Sequence, residues 1–342
     1  MKKIFLIGLT AAAMLASCSN DETVEMAQQK AISFSNAFVN NGTRSVHDPS
    51  FTTLTLKDFA VYGFTQKGQI FNGEKVSGTT STGWSYDNVQ YWVPGNTYTF
   101  GAIAPYSVAG NVSNVTLPTG ATKVGMEVAF TNTDADQVDL LHAAPAQITG
   151  VTPTYTTPVS MTFNHQLSKV KFSFQNSVGE GYNVKVSNVK ITDAFKEGTL
   201  TVAATGNTWG NQTDKTLELN FGNVVADASS TEASVIANAA TLESYNEKLM
   251  IPMGSSAIYT VTFTAELYKG DVLLGTYKHT VEIKNVEFKL GYCYNFKASL
   301  THKNITGPDE LNPIKFNVTS VENWNQTESN KDLNVPTTQS GI

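Results

Sequence analysis

Apolar and polar residues alternate position by position along most of this chain, and a period of two restricts it to β-strands with one buried face. Ile32 and Phe34 alternate with Ser33 and Ser35, and the register slips before Phe38. Leu54, Leu56 and the run Phe59–Phe64 follow, then Tyr98, Phe100, Ala102 and Ala104. In the second half the runs centre on Met161 and Phe163, on Val170, Phe172 and Phe174, and on Leu217, Leu219 and Phe221. A long run sets Tyr259, Val261, Phe263 and Ala265 against Thr260, Thr262 and Thr264. Tyr277–Ile283, Tyr292–Leu300 and Ile314–Val318 complete the series. β-branched and aromatic side chains dominate these runs, and they suit a pleated surface. Gly, Asn, Asp and Pro interrupt them, as at Asn72-Gly73, Pro94-Gly95 and Gly307-Pro308. Helical periodicity is confined to one short candidate, residues 240–248. The expectation is an all-β chain of antiparallel sandwiches.

The chain has 342 residues, enough for one or two domains. A stretch near Ile148–Pro158, with Gly150, Pro153 and Pro158 among threonines, divides the strands into two sets of domain size. This places an N-terminal domain at 45–152, with the strand at 31–38 counted in its sheet, and a C-terminal domain at 153–325. Residues 326–342 are polar, contain Pro336 and read as a tail.

The first residues carry an address. Lys2 and Lys3 precede an apolar run from Ile4 to Ala16, too short to span a bilayer, and small residues lead into Cys18. Leu15-Ala16-Ser17-Cys18 resembles a bacterial lipobox, in which the thiol is acylated and the preceding segment removed. Residues 1–17 are thus expected to be a signal peptide. Residues 18–44 are expected to be a tether and propeptide strand, held to the outer membrane through lipid on Cys18. With Cys18 acylated only Cys293 remains, which leaves no partner for an internal disulfide.

No catalytic motif of an enzyme stands out, although two carboxylates brought together by folding would serve a glycosidase. The formal net charge of −6 offers no footprint for nucleic acid. The five histidines, His47, His142, His165, His279 and His302, have no metal-ligand spacing, and neither a metal nor another cofactor is expected. His165 and His279 fall within strand runs and read as structural. Asp134, Asp136 and Asp139 form a local acidic cluster that lacks the glycine and later glutamate of a calcium loop, so it reads as a solvated turn. Trp84, Tyr86, Tyr91 and Trp92 could stack on sugar rings, but in an alternating chain packing is the stronger reading.

An ordered series of motifs points further. Tyr91-Trp92-Val93-Pro94-Gly95-Asn96-Thr97-Tyr98-Thr99-Phe100 leads to Ala102-Ile103-Ala104-Pro105-Tyr106. Asp139-Leu140-Leu141-His142-Ala143, Phe163-Asn164-His165-Gln166-Leu167-Ser168-Lys169-Val170 and Gly291-Tyr292-Cys293-Tyr294-Asn295-Phe296 follow, then Trp324. The series resembles the fimbrillin-like (Mfa-like) proteins, subunits and accessory components of type V pili, over roughly residues 31–325. The resemblance implies two transthyretin-like β-sandwich domains in tandem and no enzymatic activity. It also implies export as a lipoprotein, surface cleavage, and strand exchange with other pilus subunits or with copies of itself. The alternative is a permanently anchored outer-membrane protein that binds a glycan or a protein on a host or bacterial surface.

Arg44 fits that scheme on its own terms. It is the chain's only arginine and sits in the polar loop Asn40-Asn41-Gly42-Thr43-Arg44-Ser45, where proteases cut. Cleavage between Arg44 and Ser45 would release the lipid together with one strand. A sheet that loses a strand exposes unpaired backbone and an apolar groove, which a strand from another copy can fill. Ile314, Phe316 and Val318 mark the best C-terminal donor candidate, and equally a last strand of their own domain.

Overall fold

The computed structural model describes residues 30–39, 56–227, 229–254, 257–308 and 311–323. Cys18, Arg44, Ser45, Trp324 and the tail 326–342 lie outside the described residues. The strands in chain order are β1 (Phe34–Val39), β2 (Asp58–Thr65), β3 (Gly68–Thr79), β4 (Gly83–Ser85), β5 (Tyr98–Ala104), β6 (Val112–Thr116) and β7 (Gly125–Thr131). Next are β8 (Leu141–Ala143), β9 (Val159–His165), β10 (Ser168–Asn176), β11 (Tyr182–Ala194), β12 (Glu197–Ala203), β13 (Gly206–Gly210) and β14 (Leu217–Gly222). The last are β15 (Val224–Val225), β16 (Thr241–Ser244), β17 (Lys248–Met250), β18 (Tyr259–Lys269), β19 (Val272–Ile283), β20 (Tyr292–Leu300) and β21 (Phe316–Asn323).

These strands form four sheets among the described residues. The first runs β1-β9-β8-β5-β2-β3-β4, and a second, β13-β12-β7-β6, packs against it. The third runs β15-β16-β10-β20-β21, with β17 also paired to β10, and the fourth runs β14-β11-β18-β19. The third and fourth enclose a core that includes Phe172, Phe174, Val186, Ile191, Phe221, Phe263 and Phe296. In β18 the alternation is unbroken, Tyr259, Val261, Phe263, Ala265 and Leu267 being buried and the intervening residues half-buried.

The middle of the first sheet departs from alternation because both of its faces are covered. All seven residues of β5 are buried. Phe59, Val61, Phe100 and Ala102 face one core, while Ala60, Tyr62 and Ile103 face another shared with Met126, Val128 and Leu200 of the second sheet. This sheet also curls until β1 and β4, the two ends of its strand order, come into contact. Gly73 contributes to the curl. It is an unpaired residue in β3, between Asn72 opposite Tyr62 and Glu74 opposite Val61, at φ +72°. Asn72-Gly73 is therefore a bulge inside a strand and not a separator.

Three further expectations change. The sheets do not divide at 152/153, since β9 pairs with β1 and β8, and β12 pairs with β7. A proline- and glycine-rich stretch marks a loop, and loops also join strands of one sheet. The sheets are mixed, not purely antiparallel: β1–β9 and β10–β20 run parallel. Residues 240–248 hold no helix. Thr241–Ser244 and Lys248–Met250 instead pair with β10, where tertiary contacts outweigh a weak local pattern. The described residues hold a 3-10 helix at Tyr106–Asn111 and one short α-helix, α1 (His302–Thr306), begun by a reciprocal cap between Thr301 and Asn304.

Candidate functional site

The segment around β1 seals the seam of the curled sheet. On one side β1 pairs parallel with β9, Phe34 opposite Val159 and Val39 opposite Phe163, with an irregularity between Ser35 and Phe38. Val159 N–H donates to the Ser33 carbonyl at 2.7 Å. On the other side Ala31 bridges antiparallel to Tyr91. Ile32 N–H donates to the Gln90 carbonyl at 2.8 Å, and Trp92 N–H to the Lys30 carbonyl at 2.9 Å. The N-terminal segment thus has a hydrogen-bonded rim on each flank, one on β9 and one on residues 90–92.

Its side chains pack onto an aromatic floor. Ile32, Phe34 and Ala37 are 1, 5 and 2% exposed, as deeply placed as the core they join. The Phe34 ring meets Phe59, Phe71, Tyr86 and Phe100 at centroid distances of 6.0, 5.9, 5.6 and 6.2 Å, each edge to face. Gly63 makes room for this group, since a Cβ there would stand 2.8 Å from the Phe71 ring and 3.0 Å from Phe100. Tyr86 adds a polar latch, its hydroxyl donating to the Ile32 carbonyl at 2.6 Å. Burial, against a hydrogen bond to Gln90, pushes the Tyr86 phenol above its ordinary range, so it stays protonated to donate.

The C-terminal segment sits differently. β21 is an edge strand paired antiparallel with β20, from Phe316 opposite Ala298 to Asn323 opposite Tyr292. Ile314 and Phe316 are buried and Val318 half-buried against the C-terminal core. The Phe316 ring lies 5.1, 5.7 and 6.2 Å from Phe172, Phe174 and Phe263. In this molecule Ile314, Phe316 and Val318 are therefore seated in their own sandwich.

Other expected groups settle into structural places. His165 Nδ1 lies 2.6 Å from Asp139 Oδ2, and both side chains are 1% exposed. This corrects Asp139, which is no part of a solvated turn. Asp134 pairs with Lys248 at 3.0 Å and accepts from Asn220 N–H at 2.6 Å. His279 packs on Phe263 at 5.1 Å. Trp92 is 2% exposed among Tyr98, Phe100 and Tyr155, and Trp84 and Tyr86 pack on Phe59 and Phe34. Of the four aromatics weighed as a sugar platform, only Tyr91 is exposed. No group of three or more His, Cys, Asp or Glu capable of holding a metal occurs among the described residues.

Sequence reasoning found the strand and missed its second rim. Residues 86–92 carry no alternation, yet Tyr86, Gln90 and Trp92 complete the slot. Two aromatics and an amide around an Asp-Asn turn give no signal until the sheet edge is placed beside them.

The sequence matches the fimbrillin-like family profile over residues 43–324. A crystal structure of a fimbrial protein from Bacteroides vulgatus aligns at TM-score 0.60 and 16% identity, covering 86% of this chain and 99% of that one. A candidate cell adhesion protein from Bacteroides ovatus aligns at TM-score 0.48 and 18% identity, over 87% of this chain and 98% of the other. Another from Bacteroides uniformis gives 0.45 and 17%, over 87 and 99%. No protein of curated function matches the chain.

Proposed function

This chain belongs to the fimbrillin-like family, and from that premise we propose that it is an adhesive subunit of a surface pilus, made competent to assemble by losing its own first strand. The family is a structural one of fimbriae and adhesion, and its members act at the cell surface. The observation that carries the finer reading is the seat of the N-terminal segment: β1 pairs with β9, Lys30 and Ile32 just before it bond to residues 90–92, and residues 40–55, which contain the chain's only arginine, join it to the body.

Cleavage after Arg44 leaves Lys30–Val39 held by noncovalent contacts alone. Burial of Ile32 and Phe34 contributes about 1.5–3 kcal/mol each, an amount a strand of similar pattern recovers when it enters the emptied slot. The parallel pairing with β9 is slightly weaker per residue than an antiparallel one. The incumbent can therefore be displaced by a better-paired strand from another subunit or another copy. The segment carrying Ile314, Phe316 and Val318 is the donor proposed here, and it would first have to leave β20.

On this reading Cys18 bears the lipid that holds the precursor on the outer membrane, and cleavage frees the body from it. The test is the N-terminal mass of the protein recovered from cells. A start at Ser45 is expected. An acylated Cys18 on every molecule would contradict strand loss and favour the permanent anchor. Cys18→Ala should abolish labelling by a fatty-acid analogue, and equal labelling of the variant would contradict the lipid assignment.

A further inference from the structure

Large apolar side chains left in the open gather at two places. Among the described residues nine are exposed, and six of them lie in two short runs, Val89, Tyr91 and Val93, and Val272, Leu273 and Leu274. Apolar surface gathered in this way marks a contact, whereas a single exposed residue does not. In the first run Gln90 is half-buried and Trp92 buried, so the other three form one outward stripe, 36–46% exposed. The second run follows the turn Gly270-Asp271 between β18 and β19. There Leu267 pairs with Gly275 and Tyr268 with Leu273, which leaves Leu274 as an extra residue. This bulge breaks the alternation and leaves three successive apolar side chains, 47–66% exposed, at the hairpin tip.

Each run lies at the end of its half remote from the other half. β10 begins at Ser168, where Leu167, Leu249 and Cys293 join a core with the N-terminal sheets, and it ends at Asn176, opposite Leu300. Asn176 Nδ2 donates to the Tyr182 carbonyl at 2.9 Å, and Gly270 N–H to the Gly181 carbonyl at 3.0 Å, which puts the tip at that far end. In the N-terminal half, β9 runs from Val159 toward His165 and so toward Leu167. Phe34 pairs with Val159, and Ala31, just before it, bridges to Tyr91, which puts the stripe at the far end there. β21 starts at the same end as the tip, Phe316 lying opposite Ala298 and Asn323 opposite Tyr292. A β21 that left β20 for the slot of the next copy would depart beside the tip and arrive beside the stripe. Asp87 is exposed next to the stripe, and Lys269 and Asp271 flank the tip, so one pair of opposite sign is available across the contact.

We infer that Val272, Leu273 and Leu274 of one copy pack on Val89, Tyr91 and Val93 of the next, an inference that rests on the strand exchange proposed above. The contact joins two different patches and is heterologous, so it repeats from copy to copy along a filament where its rotation does not close a ring. Strand exchange links the chains, and the apolar contact fixes how one body sits on the next.

The test uses Val89→Asp, which spoils the stripe, and Leu273→Asp, which spoils the tip. Wild type and both variants are cut at Arg44, freed of the released segment and followed by analytical ultracentrifugation. Both positions are exposed, so the urea midpoints of the uncleaved chains should be unchanged, and Val93→Asp and Leu274→Asp repeat the test at each end. Trimmed wild type should form oligomers, and each variant should need about tenfold more protein to reach the same size. An equimolar mixture of the two variants should form dimers where neither alone does, because one keeps its tip and the other its stripe. Variants that oligomerise as wild type does would overturn the inference and leave strand exchange standing. Loss of oligomers in Leu273→Asp alone, or a mixture without dimers, would overturn it equally, the first by assigning the tip to another partner. A trimmed wild type that stays monomeric would overturn strand exchange and this contact with it.

Discussion

β1 and β21 are both edge strands near the ends of the described chain, and both bury a phenylalanine in a ring cluster, yet they are held in different ways. β21 lies against one partner, antiparallel, over a long register. β1 has a short, interrupted parallel register with β9, and the residues just before it gain a second rim from residues 90–92. Removing β21 would lengthen an open edge. Removing the β1 segment would open a slot with two rims and an aromatic floor. A slot with two rims fixes both the path and the register of what enters it, whereas an edge accepts many registers. On the proposed function, the N-terminal region receives a strand and the C-terminal region supplies one.

The two phenylalanines give the largest contrast. Phe34→Ala and Phe316→Ala should each cost the uncleaved chain about 3–5 kcal/mol in urea unfolding. After cleavage at Arg44 and removal of the released segment, Phe316→Ala should keep its cost and Phe34→Ala should have none. A persistent effect at Phe34 would mean the segment does not leave. Protonation should also separate the regions. The His142 imidazole, ordinarily near 6.5, sits at about 4 when folded. The unfolded chain takes the proton first, so stability is full above 6.5 and falls as pH drops toward 4, by about 3 kcal/mol. His142→Gln should flatten that slope, and an unaltered slope would assign it to other groups.

Smaller effects sharpen the picture of the slot. Gly63→Ala should cost about 1–3 kcal/mol by crowding Phe71 and Phe100, and should loosen the hold on Phe34, seen as faster proteolysis of the N-terminal segment. Tyr86→Phe removes only the hydroxyl bonded to Ile32 and should cost about 0.5–1.5 kcal/mol. If it leaves hydrogen exchange at the Ile32 amide unchanged, Tyr86 is packing and not a latch.

How far the sequence shows this depends on whether the physics is local. The strands β18 and β20 are legible because one face meets a core and the other does not. β5 loses its alternation because two cores compete for it, and no local window contains the second sheet. Asn72-Gly73 reads as a turn in sequence and is a bulge, because a glycine at positive φ serves both. The parallel partner of β1 lies more than a hundred residues away, across a break that looks like a domain boundary. Phe34 is legible as a buried residue, but the residues that hold its segment, Tyr86, Gln90 and Val159, converge only once the sheet has curled.

The central claim is that the N-terminal segment keeps an assembly slot filled. The direct test is size-exclusion chromatography with light scattering, before and after an arginine-specific protease, with Arg44→Ala treated alongside. The account predicts one cut after Arg44, loss of the Cys18–Arg44 fragment, and a shift of the body from monomer to oligomers, with Arg44→Ala intact and monomeric. A trimmed body that sheds the fragment and stays monomeric at high concentration, its C-terminal segment intact, would contradict it.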